Sequence, residues 1–196
     1  MLCAGAVVTF ATDLAQSSDC FDRLVWPVLA PLIGDGARVV IESTTDSTLA
    51  ADLDRLAGID AWQIVRPHGM RGIASRVQAT DRPWDTFTVR MSRSTGAETE
   101  YVKRIRAMDS GCGWLFPHLT IQAYVSTARD RLLSVAAIRT EDLFKHVRDC
   151  TDGCTRKTNG HDGNRFAVVP WVHVQWQPAP WAAAGKIRLR VWRHSR

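Results

Sequence analysis

The sequence predicts a single α/β domain, a layered structure with a central mixed sheet flanked by helices. Segments of helical periodicity and segments of strand-like alternation are interspersed along the whole chain. The chain has 196 residues, of which 45% are hydrophobic and 23% charged, ordinary values for a globular domain with a buried core. We find no sequence repeat and no Pro/Gly-rich linker, so we expect one domain over residues 1–196.

The same composition excludes several classes of protein. A collagenous or largely disordered chain does not have this apolar content. No apolar run reaches the roughly 18 to 20 residues of a membrane-spanning helix, so we expect no membrane partner. The apolar first ten residues lack a basic leader and do not resemble a signal peptide. Without a secretory route, the five cysteines are expected to be reduced thiols of a cytoplasmic protein.

Periodicity predicts the individual elements. The first is a helix from Ser18 to Ile33, for which Ser17-Ser18-Asp19 offers an N-cap. Pro27 and Pro31 should kink this helix or end it early. The elements predicted after it are a strand at 37–42, a short helix or turn at 48–57, strands at 59–65, 72–79 and 86–91, a helix at 98–108, strands at 119–125 and 132–138, a helix at 140–148, a polar loop at 149–164, and strands at 166–171 and 187–192.

The charges are distributed unevenly along the chain. Residues 1–65 contain three arginines and nine acidic residues, a net charge of −6, whereas the remaining residues contain 22 bases and 11 acids, a net charge of +11. An acidic part followed by a basic part is typical of a surface that binds a polyanion beside a site that collects carboxylates. The alternative is coding composition, because 21 of the 25 basic residues are arginine.

The most informative motif lies around Asp60. Gly58-Ile59-Asp60 leads into one predicted strand, and Ala74, Arg76 and Gln78 share one face of the next, since side chains alternate with a period of two. A hairpin of these two strands is expected to bring Asp60 near Arg76 and Gln78. In the simplest structural interpretation, Asp60 caps a turn and forms an ion pair with Arg76.

This arrangement resembles the restriction-endonuclease-like (PD-(D/E)XK) nuclease superfamily. In that family a helix precedes a Gly-Ile-Asp strand, and the next strand carries an acid-x-Lys motif. The order helix, three strands, helix, strand over about residues 18–138 is similar to the family core. The resemblance implies a nuclease-like core over about 18–148 and a strand-rich extension over about 149–196. It also implies a Mg²⁺-dependent DNA endonuclease, with DNA as the partner and a homodimer as one arrangement.

The resemblance assigns roles to individual residues. Phosphodiester hydrolysis needs carboxylates to hold one or two Mg²⁺ ions, which polarise the phosphate and help deprotonate water. Asp60 matches the family's aspartate and would bind the metal, with Asp54 and Glu42 as further ligands. Arg76 or Gln78 would stand at the lysine position and orient the water or the phosphate.

The sequence departs from the family pattern on the second strand. If Gln78 is the lysine equivalent, Arg76 replaces the acid; if Arg76 is the lysine equivalent, Ala74 does. On either register the carboxylate of this strand is missing, although Glu100 is one acid that could replace it from elsewhere. Two alternatives to the nuclease follow: a nucleic-acid-binding module of the same fold whose catalytic motif has decayed, and an unrelated α/β interaction protein.

Further basic residues are candidates for phosphate contacts, because nucleic-acid backbones are bound by several cations together. These candidates are Arg90, Arg93, Lys103, Arg104, Arg188 and Arg190. The alternatives are a solvated helix face around Lys103 and a basic row that protects an edge strand around Arg190. A zinc site is not expected, because Cys150, Cys154 and His161 supply three ligands where structural zinc takes four.

Overall fold

The computed structural model describes residues 10–34, 37–40, 52–65, 67, 69–149, 153–160, 162–174 and 189–193. Helix α1 covers residues 10–32 as an α-helix (Phe10–Cys20), a π turn (Phe21–Val25), an α-helical turn (Trp26–Leu29) and a 3₁₀ turn (Ala30–Leu32). Helix α2 is Glu100–Asp109 and helix α3 is Thr140–Asp149, with a separate π turn at Leu53–Ala57 and a 3₁₀ turn at Trp171–His173. The described strands are β1 (Ala37–Val40), β2 (Ala61–Val65), β3 (Gly69–Thr80), β4 (Thr86–Ser92), β5 (Leu119–Ser126), β6 (Leu132–Arg139), β7 (Thr155–Thr158), β8 (Arg165–Pro170) and β9 (Leu189–Arg193).

Six of the described strands form a mixed central sheet in the order β1-β2-β3-β5-β6-β9. The pairs β1–β2, β2–β3, β5–β6 and β6–β9 are antiparallel, and β3–β5 is parallel. A parallel pair cannot be closed by a tight turn, so the chain must cross over the sheet between β3 and β5. That crossover carries β4 and α2, and β4 pairs with β8 in a second sheet of order β4-β8-β7. The predicted α/β class with a central mixed sheet is confirmed.

Helix α1 packs on one face of the central sheet. Its buried side chains Phe21, Val25 and Leu29 join Ile73 of β3 and Ile121 of β5 in one apolar cluster. A second cluster lies on the other face, where Tyr124 of β5 and Phe144 of α3 pack with Phe87, Ala167 and Trp171 from the region of the second sheet. Both faces of β5 and β6 are therefore covered, which explains why nearly every residue of these two strands is buried.

The two prolines alter α1 without ending it where they occur. Pro27 has no N–H, and its ring crowds the carbonyl one turn back, so a regular α-helical turn is disfavoured. The chain widens instead into the π turn, in which the N–H of Trp26 donates to the carbonyl of Phe21. Pro31 lies in the terminal 3₁₀ turn. The predicted irregularity is confirmed, and its form is a change of helical pitch.

Three of the sequence predictions are wrong in detail. The proposed N-cap at Ser17-Ser18-Asp19 lies inside the helix, because the α-helical segment already includes Phe10–Cys20. The polar loop at 149–164 contains β7, whose four residues are all exposed and therefore show no apolar alternation. Strand β4 belongs to the second sheet and not to the central one. Residues 41, 42, 187 and 188 of the predicted strands lie outside the described residues.

None of the described helices combines the length and the apolar character that crossing a membrane requires.

Substitutions in β3 should separate core from surface. Ile73 is fully buried (0% exposed), whereas Met70 on the same strand is 59% exposed. We expect Ile73→Ala to lower the free energy of unfolding by about 2–5 kcal/mol, because it leaves a cavity under α1. Met70→Ala should change it by less than about 0.5 kcal/mol. Urea unfolding followed by circular dichroism measures both values, and equal losses would contradict this packing.

Candidate functional site

The predicted motif residues of β3 lie beside β5, on the face that looks toward the second sheet. Arg76 is in register with Gln122, and Gln78 is in register with Tyr124. The guanidinium carbon of Arg76 lies 5.7 Å from the centre of the Phe166 ring, on β8. Gln78 is exposed, and Ala74 is buried. The motif face of β3 is thus directed to an aromatic side chain of the second sheet.

Arg90 approaches the same aromatic ring from β4. It is the register partner of Phe166, and its guanidinium carbon lies 5.5 Å from the ring centre. Its backbone N–H donates to Glu100 Oε1 at 3.2 Å, which fixes β4 against α2. Burial, together with the nearby charges of Arg76 and Arg93, lowers the pKa of Arg90, and Glu100 and Asp162 oppose this shift. The Nε of Arg90 is buried and has no hydrogen-bond partner among the described residues.

A small pocket adjoins this ring. It has a volume of about 190 Å³ and is lined by Met91, Ser92, Arg156, Arg165 and Phe166. Arg156 and Arg165 are exposed residues of β7 and β8. The five guanidiniums around Phe166 and its pocket are called the arginine cluster below: Arg76, Arg90, Arg93, Arg156 and Arg165.

The arginine cluster differs from other arginines of the chain in its partners. Arg104, Arg106, Arg139 and Arg148 each form an ion pair with a carboxylate. No member of the cluster forms one within the part of the chain that the structure describes. Positive charge is therefore concentrated near Phe166 without an ion pair among the described residues, which is an arrangement suited to binding an anion.

Two glycines position Asp60. Gly58 ends the π turn with a φ of 66°, a left-handed conformation that favours glycine. Gly72 of β3 lies against Ile59, where an added Cβ would stand 3.1 Å from the isoleucine side chain. The Asp60 carboxylate then accepts the N–H of Ser75 at 2.6 Å and its hydroxyl at 3.3 Å. Asp60 thus extends the β2–β3 pairing with its side chain, just before β2 begins.

The predicted metal site can be followed only through the acids that the structure describes. One oxygen of Asp60 is directed to Ser75, Asp54 is an exposed residue of the π turn, and Glu100 binds Arg90 and Arg104. Glu42 lies outside the described residues. Among the residues described, no group of three or more His, Cys, Asp or Glu could hold a metal ion. A Mg²⁺ ion prefers several oxygen ligands in octahedral geometry, so this donor set alone does not fit it.

Two residues predicted to contact phosphate form contacts within the protein. Arg104 is 5% exposed and lies 3.7 Å from Glu100, with its guanidinium 4.9 Å from the centre of the Phe144 ring. Lys103 donates from its ammonium group to the backbone carbonyl of Arg55, which joins α2 to the π turn. These contacts give Arg104 and Lys103 a structural role, and neither residue belongs to the arginine cluster.

The structure does not describe some of the remaining predicted residues, and it describes others only in part. Arg188, Cys150 and His161 lie outside it, and only the backbone of Arg190 is described, as part of β9. Cys154 is a partly buried thiol that packs against the cluster containing Phe144.

No local sequence pattern indicates that Phe166, Arg156 or Arg165 belongs to a site. Each is brought to Arg76 and Arg90 by pairing between distant strands, β4 with β8 and β8 with β7. The one available hint was the basic composition after residue 65.

The role of Asp60 in the β2–β3 junction can be measured through two substitutions. Asp60→Ala should lower the free energy of unfolding by about 1–3 kcal/mol, because it removes the acceptor for the Ser75 N–H. Asp60→Asn keeps a carbonyl acceptor and should cost less than half as much. Urea unfolding compares the two, and an equal loss for Asn would show that the negative charge matters more than the hydrogen bond.

Comparison of the chain with protein-family models, with curated proteins and with solved structures finds no match.

Proposed function

We propose that this chain is a nucleic-acid-binding module, with DNA as its partner, built on a restriction-endonuclease-like core. The observation that carries the proposal is the arginine cluster: Arg76 and Arg90 lie over Phe166, Arg156 and Arg165 line its pocket, and the charge of Arg93 acts on Arg90. None of these arginines forms an ion pair in the described chain. A phosphodiester backbone supplies the missing negative charge, and several cations acting together are how proteins bind it.

The connectivity of the central sheet supports the core part of this proposal. In chain order, α1 is followed by β1, β2 and β3, and then by α2 and β5. This is the order helix, three strands, helix, strand that the resemblance implies. The one added element, β4, pairs in the second sheet and so leaves the order of the central strands unchanged.

The position of Arg76 favours binding over hydrolysis. In the resemblance, this strand carries an acid and a lysine, and here Arg76 occupies one of the two positions. Its guanidinium lies over Phe166, as does that of Arg90. An arginine at an acid position replaces attraction for a metal ion by attraction for phosphate.

The salt dependence of binding tests the proposal. A labelled 20-base-pair duplex should bind with an affinity that falls as salt rises. Removing one phosphate contact by Arg93→Ala should weaken binding and reduce the slope of log K against log salt by about 1. Arg148→Ala is the matched control, because Arg148 is already paired with Asp109 and Asp149. Fluorescence anisotropy measures the slopes. Absence of binding at low salt, or equal slopes for both variants, would refute the assignment.

A second candidate function is Mg²⁺-dependent DNA endonuclease activity. One observation favours it: Asp60 stands immediately before β2 with its carboxylate against β3, where the resemblance expects the family's aspartate. Further ligands would have to come from the nucleic acid, from water or from acids such as Glu42.

Plasmid cleavage decides on this candidate. Supercoiled plasmid is incubated with the protein and Mg²⁺ or Mn²⁺, with chelator as the blank. If the candidate is right, Asp60→Asn lowers the cleavage rate by about a hundredfold or more, the size expected for loss of a key electrostatic group. Asp81→Asn, a change of an exposed acid in the turn after β3, should leave the rate unchanged. No cleavage by the unaltered protein with either metal would eliminate the candidate.

A further inference from the structure

The pocket beside Phe166 has the size of one small anionic group. Its volume is about 190 Å³, which is roughly six times the volume that one water molecule occupies in the liquid. Pockets for drug-sized molecules begin at about 300 Å³. A phosphate group, with five heavy atoms, suits the smaller volume, whereas a complete nucleotide would extend out of it.

The lining of the pocket is chemically specific. Arg156, Arg165 and Ser92 are its polar lining residues, and Met91 and Phe166 are its apolar ones. Ser92 and Arg165 are register partners just beyond an irregularity in the β4–β8 pairing. Guanidinium groups bind phosphate through paired N–H donors, in charge-assisted hydrogen bonds that are stronger than neutral ones.

The charge around the pocket selects for a doubly charged ligand. Arg76 and Arg90 lie over the same Phe166 ring, and Arg90 feels the charges of Arg76 and Arg93. Two acids oppose these charges at Arg90: Glu100 first, and then Asp162, whose carboxylate accepts hydrogen bonds from Asn164. A phosphate monoester carries about −1.5 to −2 charges at neutral pH, compared with −1 for each internal phosphodiester. The surplus of positive charge therefore favours the monoester.

From this geometry we propose that the pocket formed by Ser92, Arg156, Arg165 and Phe166 binds a phosphate monoester, and that its natural form is the phosphorylated end of a nucleic-acid strand. An internal phosphate continues into the chain on both sides, whereas a terminal phosphate has one attached group and can enter a small concavity end-on. The inference rests on the proposed function for the strand, but the phosphate specificity of the pocket stands on its own lining.

The test compares 12-nucleotide single strands, labelled at the 3′ end, that carry either a 5′-phosphate or a 5′-hydroxyl group. We expect the phosphorylated strand to bind about tenfold more tightly, the effect of roughly one charge-assisted hydrogen bond. Arg156→Ala and Arg165→Ala should reduce this preference to less than about twofold. Arg148→Ala is the control, since Arg148 is already paired with Asp109 and Asp149 and does not line the pocket. Thermal unfolding verifies that each variant is folded.

The outcomes separate this inference from the proposed function. Equal binding of both strands overturns the phosphate pocket and leaves general nucleic-acid binding intact. If neither strand binds, the 20-base-pair duplex decides on the proposed function, and adenosine monophosphate and inorganic phosphate decide on the pocket. A rise in the melting temperature with either of them that Arg165→Ala abolishes supports a pocket for small free phosphates. The absence of such a rise overturns it.

Discussion

The parallel pairing of β3 with β5 is the constraint on which the rest of this structure depends. Because parallel neighbours need a long connection, residues 81–118 must cross the sheet, and they bring β4 and α2 to the face opposite α1. Strand β4 pairs with β8, and β8 pairs with β7. The arginine cluster is assembled by this crossover, since its members come from β3, from β4 and the turn after it, and from the two strands that pair beyond β4.

Contacts at the base of the crossover hold it in one position. Glu100, in the first turn of α2, accepts the backbone N–H of Arg90 and pairs with the buried Arg104. Arg104 in turn donates to the carbonyl of Gly58 at 3.5 Å, two residues before Asp60. A chain of polar contacts thus links the motif turn, α2 and β4. Glu100 and Arg104 are therefore paired with each other and with the backbone, whereas the arginines of the cluster have no ion-pair partner among the described residues.

The sequence predicted the elements that depend on residues close together in the chain, and it did not predict the contacts between distant strands. Elements with strong local signals were predicted almost to their bounds, such as β6, with its buried apolar run, and α2, which Thr99 caps by accepting the N–H of Val102. Strand β7 was missed because an exposed edge strand has no apolar alternation to detect. Arg104 was taken for a surface cation because a sequence does not show that Phe144 will cover it. Phe166 was missed as a site residue since only the β4–β8 register brings it to Arg76.

The electrostatics of the motif face explain why phosphate binding is better supported than metal-dependent cleavage. Two unit charges about 6 Å apart near a protein surface interact by roughly 3 kcal/mol, so each guanidinium of the cluster opposes a nearby divalent cation by about twice that amount. A single carboxylate such as Asp60 offsets one such guanidinium at most, and one of its oxygens already accepts from Ser75. In the same field, a phosphate dianion is stabilised by about the interaction energy that destabilises the divalent cation. Arg76 on β3 therefore favours an anion over a divalent cation on this face.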